Sequence, residues 1–277
     1  MSMDLHVHTT ASDGTDTPAQ VVDLAVKNGL TAIAITDHDT FSGVGPALEV
    51  GLRQGLTVIP GIELSAEDEA LDIHILGYLP DVTEPRLLSK IAQLRQQRRQ
   101  RIEQMTAKLK AIGLPVSPER VLALAGAGAA GRPHLAAAML EAGLVADVKE
   151  AFDRYIGKGC VAYVPRFKIT PAEAIAMLKN AAGIPVLAHP GHQSSGAPDH
   201  LLPVLVKAGL MGIEAGHPAH SPEQIAHYRE FGRANGLIIT GGSDYHGLAR
   251  KKDHCLGRIS APDTVLAELR ERQNNYH

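Results

Sequence analysis

Two histidines one residue apart open the chemistry of this chain, in Asp4-Leu5-His6-Val7-His8. A β-strand has a side-chain period of two, so on a strand His6 and His8 share one face and Leu5 and Val7 the other. Two imidazoles side by side form a convergent pair suited to a divalent metal. Asp13 follows in the turn beyond them. Further along, short apolar runs end in or contain Thr36-Asp37-His38-Asp39, Pro60-Gly61-Ile62-Glu63, Asp72-Ile73-His74, Ala188-His189-Pro190 and Ser243-Asp244-Tyr245-His246. A single strand-end histidine is ordinarily a hydrogen-bonded structural residue. Here six of seven candidate strands carry a His, Glu or Asp at or near the C-terminal end, and independent structural histidines have no reason to share that edge. The inventory is six imidazoles (His6, His8, His38, His74, His189, His246) and three carboxylates (Asp13, Glu63, Asp244). That exceeds what one ion can use and suits three, with Glu63 bridging two of them. Mixed N/O ligation without thiolate favours Mn²⁺, with Fe²⁺ or Zn²⁺ as alternatives, over Cu(I), Ca²⁺ or Mg²⁺. Clustered ions lower the pKa of a bridging water and bind attacking and leaving oxygens, which suits hydrolysis of a phosphate ester.

The elements that must position these residues read as alternating strands and helices. Strands are expected at Met3–His8, Thr31–Thr36, Thr57–Leu64, Leu71–Tyr78, Ile184–Ala188, Met211–Ala215 and Leu237–Thr240. Helices start at Thr17-Pro18-Ala19-Gln20, Thr170-Pro171-Ala172-Glu173 and Ser221-Pro222-Glu223-Gln224. Each has a hydroxyl at the N-cap, Pro next and Gln or Glu at the third helical position, a capping box. Gly29, Gly183 and Gly236 are placed to close them. The alternation predicts a parallel sheet with helices outside it, and seven strands suggest a barrel. In a parallel barrel the C-terminal strand ends converge on one face, where active sites are built.

Between about Pro85 and Tyr163 the alternation stops. Leu87, Ile91, Leu94, Ile102, Met105, Leu109 and Ile112 form an apolar stripe at helical spacing, and shorter helical patterns follow. We read three segments: 1–84, the first part of a barrel; 85–163, an inserted helical lid; and 164–277, the rest of the barrel. Arg86–Arg120 holds nine basic and two acidic residues, read as a solvated helix face or a basic wall facing an anion. Arg98 falls within the apolar stripe and is expected to snorkel outward. Ala123–Ala130 reads as a turn.

The composition sets limits. The chain has 277 residues, 27 basic and 30 acidic side chains, 14 histidines, no Trp and 4% aromatic residues. Such a chain buries roughly 70–75% of its unfolded surface, enough for one large core or a core with an appendage. A net charge of −3 with few aromatics argues against a dedicated binder of long nucleic acids. No apolar run reaches the roughly 18 residues of a membrane helix, and the N-terminus lacks a signal-peptide pattern. Two cysteines, Cys160 and Cys255, exclude a disulfide framework and are expected to be packing residues. The expectation is a soluble, cytoplasmic protein without an obligate protein partner.

The motifs His6-x-His8, Thr36-Asp37-His38-Asp39, Glu63, His74, His189-Pro190 and Ser243-Asp244-x-His246 resemble, in order, those of the PHP (polymerase and histidinol phosphatase) family. That resemblance implies a metal-dependent phosphoesterase on a distorted (β/α)₇ TIM-like barrel of the amidohydrolase superfamily. It implies one ion on His6, His8, Glu63 and Asp244, a second on Glu63, His74 and His189, and a third on Asp13, His38 and His246. It makes Glu63, Asp244, His189 and Asp13 the catalytic set. Gly131-Arg132-Pro133-His134, Gly157-Lys158-Gly159 and Tyr163-Val164-Pro165-Arg166 are similar to family members with a helical insertion. Those remove the 3′-phosphate of nucleoside 3′,5′-bisphosphates, and some trim short 5′-phosphorylated RNA. By this likeness Arg132, His134, Lys158 and Arg166 bind substrate phosphate from the lid. The activity implied is conversion of adenosine 3′,5′-bisphosphate to AMP and phosphate, using a metal-bridging hydroxide. A 5′→3′ exoribonuclease or a histidinol-phosphate-type phosphatase is the alternative. A zinc-type amidase or deaminase shares His-x-His but has no need of phosphate-binding arginines, and a scaffold would have lost ligands. Asp37 and Asp39 are expected to orient His38, Tyr245 to point away from the metals, and His192, His217 and His220 to be loop residues.

Overall fold

A computed structural model of the chain describes residues 2–68, 71–126, 130–165, 169–192, 199–247, 255–262 and 264–275. Seven strands form one sheet whose spatial order is their chain order: β1 (Met3–Val7), β2 (Ala32–Ile35), β3 (Thr57–Asp68), β4 (Leu71–Tyr78), β5 (Ile184–Leu187), β6 (Gly212–Gly216) and β7 (Ile238–Gly241). Just past β7, the backbone of Tyr245 bridges Val7 of β1 and nearly closes the barrel, with His8 N–H donating to the Tyr245 carbonyl at 2.8 Å. Ten α-helices lie among the described residues: α1 (Pro18–Lys27), α2 (Val44–Gln54), α3 (Pro85–Ala111), α4 (Pro118–Ala125), α5 (Arg132–Glu141), α6 (Val148–Ala151), α7 (Pro171–Asn180), α8 (Leu202–Ala208), α9 (Pro222–Ala234) and α10 (Val265–Asn274). One π-turn, Phe152–Ile156, continues α6.

The three capping boxes form as the sequence predicts: Thr17 with Gln20, Thr170 with Glu173, and Ser221 with Gln224. Gly29 and Gly236 take the left-handed conformation after their helices. After α7, Ala182 takes it in place of Gly183, at φ +52.

The parallel expectation needs one correction. β1, β2 and β3 pair in parallel, as do β5, β6 and β7, but β4 is antiparallel to both β3 and β5. A parallel neighbour needs a crossover of a dozen or more residues, and β3 joins β4 through only residues 69–70. His74 therefore reaches the mouth of the barrel from the first half of its strand, opposite Ser65 of β3.

The helical segment has its own apolar cluster, built from Ile102, Met105 and Leu109 of α3 with residues of α4, α5, α6 and the turn that follows. The first half of α3 packs differently. Leu87, Ile91 and Leu94 join the cluster that includes Ile62, Leu64, Ile73 and Ile75 of the barrel. One continuous helix thus belongs to both cores. Ile112, the last residue of the predicted stripe, is exposed. The expected turn at Ala123–Ala130 begins after Ala125, and its residues 127–129 lie outside the described residues.

Candidate metal centre

All nine predicted ligands meet at the mouth of the barrel, with Glu63 at the centre. Its Oε1 lies 2.8 Å from His74 Nδ1 and 3.1 Å from His189 Nε2. Its Oε2 lies 3.0 Å from His38 Nδ1, 3.2 Å from His8 Nε2 and 3.4 Å from His6 Nε2. Asp244 Oδ1 faces the same pair from the other side, 3.2 Å from His8 Nε2 and 3.4 Å from His6 Nε2. Asp13 Oδ1 lies 3.2 Å from His246 Nε2 and 3.9 Å from His38 Nε2.

Local backbone form explains part of this convergence. Met3–Val7 is buried on both faces, so the pleat sends Leu5 and Val7 into apolar clusters and His6 inward. Among the described residues only five non-glycines have positive φ, and three are here: Asp39 (+49), His189 (+25) and Asp244 (+51). Such turns at strand ends cost about 1–3 kcal/mol each and re-aim the side chain. Gly242 is required by contact: a Cβ there would lie 2.4 Å from that of His6.

The electrostatics are those of a cation site. Burial alone would raise the pKa values of Asp13, Glu63 and Asp244, yet the surrounding imidazoles hold all three carboxyls well below their ordinary range. Burial opposes a charge on His8, but hydrogen bonds to Asp244 and Glu63 lift its pKa to about 10. His38 is pushed the other way, to about 3, chiefly by burial. Protons are a poor fit to this arrangement: His38 Nδ1 is buried without a hydrogen-bond partner among the described residues, although Glu63 Oε2 lies 3.0 Å away. Lone pairs facing each other across about 3 Å call for cations between them. Four ligand groups converge geometrically: His8, Asp13, His38 and His246; His6, His8 and Asp244; His6, Glu63 and His189; and His38, Glu63 and His74. The donor set of imidazole nitrogens and carboxylate oxygens fits divalent metal ions.

A family model described as the PHP domain matches residues 4–184. The chain belongs to the PHP-domain family. Three curated relatives share its length. The 5′-3′ exoribonuclease Rnm of Escherichia coli (strain K12) is 34% identical over 88% of this chain and 84% of its own. The phosphoribosyl 1,2-cyclic phosphate 1,2-diphosphodiesterase of Eggerthella lenta is 35% identical over 94% and 100%. The 3′,5′-nucleoside bisphosphate phosphatase of Chromobacterium violaceum is 30% identical over 88% and 87%. A candidate metal-dependent phosphoesterase from Bifidobacterium adolescentis has the same fold, with a TM-score of 0.90 at 33% identity, covering 98% of this chain and 96% of that one. This PHP protein is accordingly a metal-dependent phosphoesterase, whose relatives act on different phosphate esters.

The residues around the PHP ligand cluster differ from expectation in several places. Arg98 does not snorkel: it is buried, and its Nε donates to Asp39 Oδ2 at 2.8 Å while Nη2 reaches Ser65 Oγ at 3.2 Å. Asp39 therefore holds α3 rather than His38. Asp37 also leaves His38 alone, accepting from Thr9 N–H, Thr9 Oγ1 and Ser12 Oγ. Tyr245 points away from the cluster, its hydroxyl donating to Asp16. His217 and His220 lie in the loop between β6 and α9, as expected, but both are buried there, and His217 Nε2 lies 3.5 Å from Asp244 Oδ2. Cys255 is exposed, so it is not a packing residue.

In the helical segment, Arg132 is the first residue of α5, with its guanidinium over the rings of Phe152 (5.5 Å) and Tyr163 (5.9 Å). Arg101, which sequence reasoning missed, covers the Tyr163 ring at 5.5 Å and donates from Nε to the Val164 carbonyl. Burial and then the charge of Arg132 push its pKa down to about 10. Arg98 lowers it further and Asp72 opposes the shift. His134 is buried and accepts the Gly131 N–H through Nδ1. Lys158 is exposed. Arg166 lies outside the described residues. The second missed residue is Glu214, fully buried on β6, with both carboxylate oxygens on His6 Nδ1 at 3.1 and 3.2 Å. Its signal was an acid inside the apolar run Gly212-Ile213-Glu214-Ala215, where a charge needs a partner.

Proposed function

We propose that this protein removes the 3′-phosphate from nucleoside 3′,5′-bisphosphates, adenosine 3′,5′-bisphosphate among them. The observation that carries the reading is the guanidinium pair Arg101 and Arg132, both lying over the ring of Tyr163. Two like charges held this close favour a dianion between them, and arginine forks match phosphate oxygens. A substrate with two phosphates can set one there and one at the ligand cluster.

Three divalent ions, Mn²⁺ first, are held in this proposal by His6, His8, Asp13, His38, Glu63, His74, His189, Asp244 and His246. When bound, they acidify water and neutralise phosphate oxygens. The chain supplies the rest. Arg132, Arg101 and His134 fix the 5′-phosphate, with Lys158 and Arg166 as further contacts from the lid. Glu63 and His189 set the position of the reacting phosphate. Asp13 and Asp244, kept ionised by their imidazole neighbours, accept the proton released as water attacks phosphorus. The P–O bond to the ribose breaks, and its 3′ oxygen takes up the proton that the carboxylate received from the water. The segments 85–163 as lid and 1–84 with 164–277 as barrel divide this labour, and Arg98 ties one to the other.

A 5′→3′ exoribonuclease is the second reading. The basic α3 supports it, with a cavity of about 310 Å³ against α4 lined by Arg95, Gln96 and Arg99, as does the likeness to an exoribonuclease at 34% identity. The test is to give the Mn²⁺-loaded protein adenosine 3′,5′-bisphosphate, a short 5′-phosphorylated RNA and a ribose 1,2-cyclic phosphate in parallel. Phosphate release from the bisphosphate is expected to be fastest. Faster mononucleotide release from RNA would make nuclease activity the function, and faster opening of the cyclic ester would refute both readings.

A further inference from the structure

We propose that Glu214 is a positioning residue for the metal centre, holding the proton of His6 on Nδ1 so that Nε2 presents its lone pair to the ion. The inference rests on the reading of His6 as a metal ligand. Glu214 is fully buried and belongs to none of the convergent ligand groups. It cannot join them, because it lies against the opposite edge of the His6 ring. His6 Nε2 faces Glu63 Oε2 and Asp244 Oδ1, each at 3.4 Å, whereas Nδ1 faces both oxygens of Glu214. Isolated in an apolar strand, an ionised carboxylate is costly unless it is paired and hydrogen-bonded. Glu214 has such partners in the His6 ring and in the backbone N–H of His189, which donates to Oε2 at 2.8 Å. One side chain therefore fixes the ring of one ligand and the backbone of a second, at the strained φ of His189.

His8 shows the contrast. Its Nδ1 faces Ser12 Oγ at 3.5 Å, and Ser12 spends its only proton on Asp37 Oδ1 at 2.6 Å. The hydroxyl can thus only accept from His8, across a long contact. The two members of His6-x-His8 are oriented by different devices, a direct carboxylate and a weak hydroxyl relay. A carboxylate on the outer nitrogen of a ligand histidine fixes its tautomer and raises its basicity, and losing such a partner typically weakens metal binding about 10–100-fold.

Glutamine at 214 retains one acceptor oxygen, and its amide N–H₂ must then face either His6 Nδ1–H or His189 N–H, donor against donor. Glu214→Gln is therefore expected to weaken Mn²⁺ binding to chelator-stripped protein by about 10–100-fold in calorimetric titration, with the circular dichroism of the stripped protein unchanged. His6→Ala is titrated beside it. Should His6→Ala bind Mn²⁺ like the parent, the ligand reading beneath the inference fails. Should His6→Ala bind weakly while Glu214→Gln stays within twofold of the parent, the role of Glu214 alone is overturned. If Glu214→Gln does not fold, nitrogen-15 histidine spectra of the parent protein loaded with diamagnetic Zn²⁺ decide. A proton on His6 Nδ1 supports the inference, and one on Nε2 refutes it.

Discussion

Glu63 is the residue on which the cluster turns, because each of its oxygens faces imidazoles from different strands. Glu63→Gln replaces one of those oxygens with an amide that has no lone pair to offer. Turnover is expected to fall by more than the roughly 10–100-fold typical of outer partners, and bound metal measured by plasma mass spectrometry is expected to fall with it. Undiminished activity in that variant would sink the bridging role. Ser12→Ala belongs at the same scale and should be mild. Its contact with His8 is long, so Mn²⁺ affinity is expected to drop by less than about tenfold. A loss larger than that of Glu214→Gln would reverse the ranking of the two devices.

At the scale of elements, α3 is tied to the barrel by a buried ion pair. Arg98 of α3 reaches Asp39, and Asp39 in turn accepts the Ser65 N–H and donates its own to the Glu63 carbonyl. Arg98→Met removes the guanidinium from that buried carboxylate, at a cost of about 3–5 kcal/mol in urea unfolding. Adding Asp39→Asn should restore part of the loss, and strict additivity would deny the coupling. Arg132→Ala tests another part of the helical segment. The KM for adenosine 3′,5′-bisphosphate should rise at least about tenfold while an aryl phosphate is hydrolysed nearly as before. Equal losses on both substrates would remove Arg132 from substrate recognition. Neither contact of Arg98 was legible in its spacing: the apolar stripe marked the buried face of α3, but its partner stands 59 positions away.

For the whole molecule, the site is a store of opposed charges that metal must balance. The folded pKa of His8, about 10, lies above the ordinary 6.5. The stability it contributes is complete below pH 6.5 and is lost as pH climbs toward 10. His6 and His189 are raised as well and act with the same sign. His38, held down to about 3, is neutral throughout that window and adds no slope. Asp4, pushed up to about 6 by burial, has mostly titrated before the window opens. Metal-stripped protein should therefore show a Tm that falls between pH 7 and 10 in scanning calorimetry. With saturating Mn²⁺ the fall should shrink, because metal replaces the proton and binds better as imidazoles deprotonate. A flat profile for the stripped protein would contradict the charge balance described here.

Local patterns in the sequence determined much of this protein. Hydroxyl, proline and Gln or Glu at fixed offsets specify a helix start through bonds within one turn, and all three such starts form. The period of two in Asp4–His8 and the recurrence of His, Glu and Asp at strand ends marked all nine residues that meet at the barrel mouth. The short link before β4 also held its antiparallel direction, although strand–helix alternation elsewhere suggested otherwise. Tertiary structure alone decided what faces what at long range. Glu214 meets His6 across 208 positions, Arg98 meets Asp39, and Asp37 turns to Ser12 instead of its neighbour His38. Periodicity along a chain says which side of an element a residue occupies, because that follows from backbone geometry. It does not say which residue from a distant element arrives opposite, because that depends on how the elements pack and on where a buried charge can find its partner.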